Sequence, residues 1–317
     1  MVEKIKLDVK DRKLLALLDE NSRDTNSQIA RAIGLSKPAV EYRIKRLIEN
    51  KVIFEFYTVI DFSRLGYSLY KVYFKFQNTS LQEENKITNY WINSKNSIWV
   101  AQIRGLGDLA VTILAKSNFE FGQILGKFTN LYSKYILEKQ VLLNETTSLY
   151  SKENKKEIIY ETPSKEIELD KTDKRILKEL AINARINIVD LAENINLSRD
   201  IVNYRIKKLT KDKVISQYKC YPNLQNIGIN HYKLIIRTKN FNEQEESKLK
   251  QYLSKHKKAT QFLKLIGSWD LEIEFEAESE DDLYNTLNEF RKDFSEVIRD
   301  FDIIRITKTF KYNYFPF

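Results

Sequence analysis

The chain has 317 residues, with 53 Lys plus Arg against 44 Asp plus Glu, two His, one Cys and a net charge of +9. One cysteine excludes a disulfide framework, a thiolate zinc site and a CxxC redox pair, and two histidines leave little for most His-based catalysis, so no metal and no cofactor are expected. No stretch reaches the ~20 apolar residues that span a bilayer and no charged-then-apolar leader opens the chain, so a cytoplasmic protein is expected.

From the first residues, three helical patterns follow one another. Asp8 can cap the first, with Asp11 at the positive end of its dipole and Leu14, Leu15 and Leu18 as its apolar stripe. A shorter helix is expected over 26–33. Gly34-Leu35-Ser36 then turns the chain, Gly34 supplying a positive φ and Ser36 capping a third helix whose Val40, Ile44 and Leu47 point inward. Two helices joined by such a turn make a helix-turn-helix. Residues 52–59 read as a strand or hairpin, a wing. Beyond Gly66 the period changes: strand 68–77, helix 81–94, strands 98–103 and 109–115 around a Gly-containing turn, helix 119–132 and strand 135–149. The order βαββαβ indicates a ferredoxin-like sandwich, whose helices cover one sheet face and leave the other in need of a partner surface.

This pattern is written twice. A shift of 162 superposes the halves without a gap, with 20 identities in the 47 positions from Leu7 to Ile53, and Asn196 stands where the first half has Gly34. The expected fold class is therefore α+β: a winged helix-turn-helix plus a ferredoxin-like (βαββαβ) domain, the pair duplicated in one chain. The expected boundaries are 1–64 and 65–150, an exposed polar linker 151–165 with Pro163, then 166–226 and 227–317. Residues 37–51 carry five bases and two acids, and 199–213 six bases and two acids, so two short stretches hold most of the +9. Two such concentrations suggest places to put phosphates.

The ordered motifs Leu7-Asp8-x-x-Asp11, Arg23, Ile29-Ala30, Gly34-Leu35-Ser36, Val40-x-x-Arg43-Ile44-x-x-Leu47, Val52-Ile53, Tyr57-Thr58-Val59, Leu65-Gly66, Gly105-x-x-Asp108 and Gly267-x-x-Asp270 resemble the Lrp/AsnC (feast/famine) transcription regulators, here as two units fused in tandem. The resemblance implies double-stranded DNA as a partner, an αβ domain that pairs units, an amino-acid effector near that interface, and further homo-oligomerisation beyond the intrachain pseudo-dimer.

The third helix of a helix-turn-helix places its N-terminal part in the major groove. The expected DNA-binding residues are the caps Ser36 and Ser198, Lys37 and Tyr42 near base edges or the groove wall, Glu41 at a groove-facing position, and Arg43, Lys45 and Arg46 on phosphates; the second-half set is Arg199, Asn203, Tyr204, Arg205, Lys207 and Lys208. Lys37 against Arg199 and Glu41 against Asn203 predict unlike half-sites, because Arg suits guanine and Asn adenine. The alternative is that any exposed helix is rich in Lys and Arg. The turns holding Gly105 with Asp108 and Gly267 with Asp270 read either as tight strand connections capped by Asp or, by the resemblance, as effector sites, with Thr146 or Thr147 and Thr307 or Thr309 from the last strands.

Glu272, Glu274 and Glu276 share one face of a strand where the first half has Ala110, Thr112 and Leu114. They are expected to pair with Lys233 and Arg237, and across the halves with Lys71 and Lys75, favouring the pairing of unlike halves. Cys220 reads as an apolar filler, His231 and His256 as structural or surface residues, and 310–317 as a strand end packed on a neighbour. Three functions compete: a sequence-specific regulator, a siroheme-decarboxylase-like enzyme on the same architecture, and an architectural protein with little sequence choice. The enzyme is disfavoured because the first half has no His and Asp61-Phe62-Ser63 stands where that enzyme family is expected to carry one.

Overall fold

The computed structural model describes residues 5–150, 157–160 (backbone only), 166–312 and 315–316. The chain runs through α1 (Val9–Glu20), α2 (Asn26–Ile33), α3 (Lys37–Glu49), β1 (Ile53–Ile60), β2 (Ser68–Phe76), α4 (Leu81–Asn93), β3 (Ser97–Arg104), β4 (Leu109–Ala115), α5 (Asn118–Tyr132), β5 (Ile136–Tyr150) and β6 (Glu157–Tyr160). The second half follows as α6 (Lys171–Ile182), α7 (Ile188–Asn194), α8 (Arg199–Lys211), β7 (Ile215–Pro222), β8 (Asn230–Thr238), α9 (Glu243–Lys255), β9 (Ala259–Ile266), β10 (Leu271–Ala277), α10 (Glu280–Asp293) and β11 (Ile298–Tyr312). Apart from β6, every strand of the first half has a counterpart displaced by the repeat of 162, as the expected duplication requires. Of the expected linker, Glu157–Tyr160 is instead a strand that hydrogen-bonds to the end of β5, while 151–156 and 161–165 lie outside the described residues.

Local chemistry sets the helix ends. Asp8 and Asp11 form a reciprocal capping box at the start of α1, Thr25 and Gln28 another at α2, and Ser36 accepts from the Ala39 amide at the start of α3. Gly34 (φ 65°) and Asn196 (φ 49°) hold the left-handed conformation that turns each chain into its third helix.

The strands after α3 and α8 are present but do not fold back as wings. β1 pairs antiparallel with β7, its counterpart in the other half, as a two-stranded ribbon. Each is a single strand with its ladder groups open on both sides, and its duplicate is the nearest edge of matching length. The ribbon crosses between halves: Phe56 and Cys220 pack in the core of α1–α3, and Ile60, Phe62 and Leu65 in the core of α6–α8. Phe315, from the aromatic terminus, also packs against the α6–α8 core; 313–314 and 317 lie outside the described residues.

Eight of the remaining strands form one closed barrel in the order β2-β4-β3-β11-β8-β10-β9-β5, with β5 returning to β2, and β6 extends the sheet beside the end of β5. Closure depends on the two 15-residue strands. β5 pairs with β2 along its first half and with β9 along its second, and β11 pairs with β8 and then β3. Each half thus lends its last strand to the other, which leaves the barrel without an open edge. Helices α4 and α5 cover the first sheet around Trp91, Phe74 and Phe128, and α9 and α10 the second around Phe262, Phe275 and Phe290. The inner faces meet through Tyr73, Trp99, Ile103, Leu142, Ile235, Leu263, Trp269 and Ile304.

Charges also lie between the inner faces. Glu272, fully buried, accepts from Lys71, from Lys233 at 2.7 Å and from the Tyr73 hydroxyl at 2.6 Å. Glu274 pairs with Lys233 and with His231 at 2.9 Å. The expected partners Arg237 and Lys75 are elsewhere. Arg237 pairs with Asp300 at 2.8 Å and lies over the Trp269 ring at 4.0 Å, and Lys75 is exposed.

Candidate nucleic-acid interface

α3 and α8 each bury one stripe, Val40, Ile44 and Leu47 or Val202 and Leu209, and leave the rest to solvent. Lys37, Glu41, Tyr42 and Lys45 are exposed, as are Arg199, Asn203, Tyr204, Lys207 and Lys208. Tyr42 and Tyr204 are each 66% exposed. The caps Ser36 and Ser198 are exposed beside them, their hydroxyls accepting from Ala39 and Ile201.

Arg43 and Arg205, expected on phosphates, are engaged within the protein. Arg43 Nη1 donates to Asp8 and Asp11, both at 2.7 Å, and Arg46 Nη2 reaches Asp11 at 2.5 Å. Asp11 is nearly inaccessible, so its charge requires these guanidinium groups. Arg205 repeats the arrangement with Asp170 and, at 3.2 Å, with Asp173. These pairs lash the third helix of each unit to the start of its first. Hydrogen bonding to the Asp11 backbone amide and to Arg43 holds the Asp8 carboxyl below its usual range, and Asp170 is lowered in the same way. The sequence signal was an Asp at the third helical position of α1 with an Arg 32 residues on, present in both halves.

A second feature escaped sequence reading. Arg23 reaches across to the carbonyls of Ala184 (2.6 Å) and Ile186 (3.0 Å) and lies over the Tyr218 ring. Arg185 returns the contact, donating to the carbonyls of Ser22 and Asp24, to Asn26 at 2.9 Å, and lying over Phe56. The repeated Arg was visible, but its target in the other half was not. With the β1–β7 ribbon, this reciprocal clasp fixes the two helix-turn-helix units relative to each other.

The two Gly–Asp turns are tight connections against the opposite half. A Cβ at Gly105 (φ 113°) would lie 2.2 Å from the Ile303 carbonyl, and one at Gly267 (φ 152°) 2.8 Å from that of Val141. Asp108 accepts from the Phe76 amide at 2.9 Å, and Asp270 from the Thr238 amide at 2.6 Å and hydroxyl at 2.9 Å, so each ties its turn to the end of its own sheet's first strand. Thr307 donates to the Gln102 carbonyl at 3.2 Å, Thr147 accepts from Asn144 at 2.8 Å, and Thr309 lies 3.5 Å from the Tyr221 hydroxyl. Among the described residues, the Thr146 hydroxyl is buried without a partner.

A duplicated helix-turn-helix with outward basic helices, mounted on a closed αβ barrel, defines a DNA-binding protein class. The family model of the AsnC-type helix-turn-helix domain matches residues 7–48 and 169–210. An HTH-type transcriptional regulator of Pyrococcus abyssi is 30% identical over 117 residues, which span 36% of this chain and 77% of that protein. A leucine-responsive regulatory protein of Rhizobium meliloti is 36% identical over 69 residues, 22% of this chain and 44% of that protein. The chain belongs to the Lrp/AsnC family of HTH-type transcriptional regulators. Its whole fold is also that of the siroheme decarboxylase NirDL: TM-score 0.65, 12% identity, 96% of this chain and 93% of that one. Among the described residues, no helix is long and apolar enough to cross a membrane.

Proposed function

We propose that this protein is a sequence-specific DNA-binding transcription regulator that reads an asymmetric operator through α3 and α8. The observation that carries the reading is two exposed basic recognition helices held in one rigid frame by the Arg23–Arg185 clasp. Lys45, Lys207 and Lys208 neutralise phosphates, and Lys37, Glu41 and Tyr42 meet base edges on one side against Arg199, Asn203 and Tyr204 on the other. Two such helices in a dimeric frame address half-sites about one helical turn apart, ~34–36 Å. The test is selection from genomic fragments at low and near-physiological salt with random DNA as competitor. Enrichment of few sites with unlike halves supports the reading. Binding without selection supports the architectural alternative, and no binding at either salt removes the proposal.

The same proposal holds that the chain is not an enzyme, although the fold match to the decarboxylase motivates a second assay with a tetrapyrrole. Neither histidine is free for catalysis: His231 is paired with Glu274, and His256 is packed against Tyr252 and Phe275, where burial and then Lys258 lower its pKa. Tetrapyrrole binding without DNA selection would favour the enzyme.

We propose that an amino-acid effector addresses the turn of Gly105 and Asp108 and not that of Gly267 and Asp270. Trp269 stands where the first half has Gly107, and its buried indole donates to Gln140 at 2.8 Å, so the second turn carries a ring that the first lacks. Thermal shift against the amino acids, with Asp108→Ala as control, tests this. Further association of chains is checked by light scattering.

A further inference from the structure

Lys71 and Lys233 occupy equivalent positions under the repeat, on β2 and β8, and both ammonium groups bond the same oxygen of Glu272. They therefore lie close to the pseudo-twofold axis that relates the halves. The acids do not obey that symmetry. Glu272 and Glu274 belong to the second half alone, and their counterparts Ala110 and Thr112 carry no charge. The other groups of the cluster are likewise one-sided. Tyr73 corresponds to Ile235, His231 to Leu69, and Trp99, whose ring lies 4.7 Å from Lys233 Nζ, to Gln261.

From this distribution we infer that the buried charges permit each inner sheet face to close only on the unlike half, so that residues 68–150 reject a second copy of themselves and accept 230–312. The first half brings one buried Lys; the second brings one Lys and two Glu. Joined, the two Lys and two Glu balance. Two first halves would bury two Lys with no acid, and two second halves would bury four carboxylates against two Lys. The four residues are 0–8% exposed in the observed closure, so solvent screens an imbalance little. An unpaired buried charge is among the most destabilising changes a core can suffer, whereas replacing a whole buried set by apolar residues is often neutral or stabilising. The ions therefore act by excluding wrong partners and not by strengthening the right one. A duplicated sequence needs such exclusion, because its two halves share one strand order and two chains could otherwise join through like halves.

The test uses the full chain in three forms, each unfolded in urea and refolded at several concentrations, with midpoint and light-scattering mass as readouts. Wild type is the reference. E272M/E274M leaves two buried Lys and is expected to lose its folded fraction at urea concentrations where wild type stays folded. K71M/K233M/E272M/E274M, with Tyr73→Phe to remove the orphaned hydroxyl, is neutral. It is expected to recover the midpoint but to yield species heavier than wild type, in a fraction that rises with concentration. An unchanged midpoint in E272M/E274M would overturn the inference. So would refolding of the neutral variant only to the wild-type mass at every concentration, or failure of both variants to fold.

Discussion

Arg43 divides two roles that a basic recognition helix offers, and R43M separates them. In the structure its guanidinium holds Asp8 and the buried Asp11 at 2.7 Å each, while Arg46 still reaches Asp11 at 2.5 Å. Because Arg46 remains, the loss is smaller than the ~3–5 kcal/mol of an abandoned buried ion and nearer the ~1.5–3 kcal/mol of one hydrogen bond to a charged group. Asp8 is half exposed and adds little to that figure. With about 2 kcal/mol lost and a urea slope of ~2 kcal/mol/M, the midpoint of the unit holding Arg43 falls by roughly 1 M. Specific DNA affinity at 25 °C, where the variant is still folded, stays within about twofold of wild type. Lys45→Ala is the contrast: unchanged midpoint, weaker binding to all sequences, and a salt slope smaller by ~0.9. A normal midpoint in R43M with DNA binding reduced tenfold would show the arginine on phosphate and refute the reasoning.

Three further outcomes are expected. R23A/R185A opens the clasp between the helix-turn-helix units; binding to a single half-site persists, and preference for one half-site spacing is lost in a series of operators with altered spacers. Glu83, held to about 2 by the Tyr135 hydroxyl and the Ser80 backbone and side chain, has a folded pKa below its unfolded one. It therefore contributes stability above pH ~4.5 that is lost as pH falls toward 2, and Tyr135→Phe should return its pKa toward the ordinary value in an NMR titration. Cys220 is buried and its thiol is pushed far up by burial and then by Asp19, so a thiol reagent at pH 8 should label it only after unfolding.

Much of this architecture is local and was therefore legible. Caps, the Gly34 turn and its Asn196 substitute, and the switch from helical to alternating period each depend on a few neighbouring residues. The repeat of 162 supplied a second reading of every element, which is why β4 and α2 match their expected limits. The exposed faces of α3 and α8 follow from which positions the core stripe uses. Even the one-sided row of Glu272 and Glu274 was visible as an asymmetry between copies.

Contacts between the halves were decided only by the tertiary structure. A strand pattern at 53–60 states that the chain is extended there and not which edge will pair with it; the ribbon with β7 arises because the duplicate strand is within reach. The destinations of Arg23 and Arg185 are carbonyls 161 to 163 residues away, and a carbonyl has no signature in sequence. Arg43 was read as a surface base because its burial depends on how α3 leans on α1. Helices, caps and faces are thus properties of short segments, whereas barrel closure, the clasp and charge balance are properties of two segments brought together, and only folding specifies the second member of each pair.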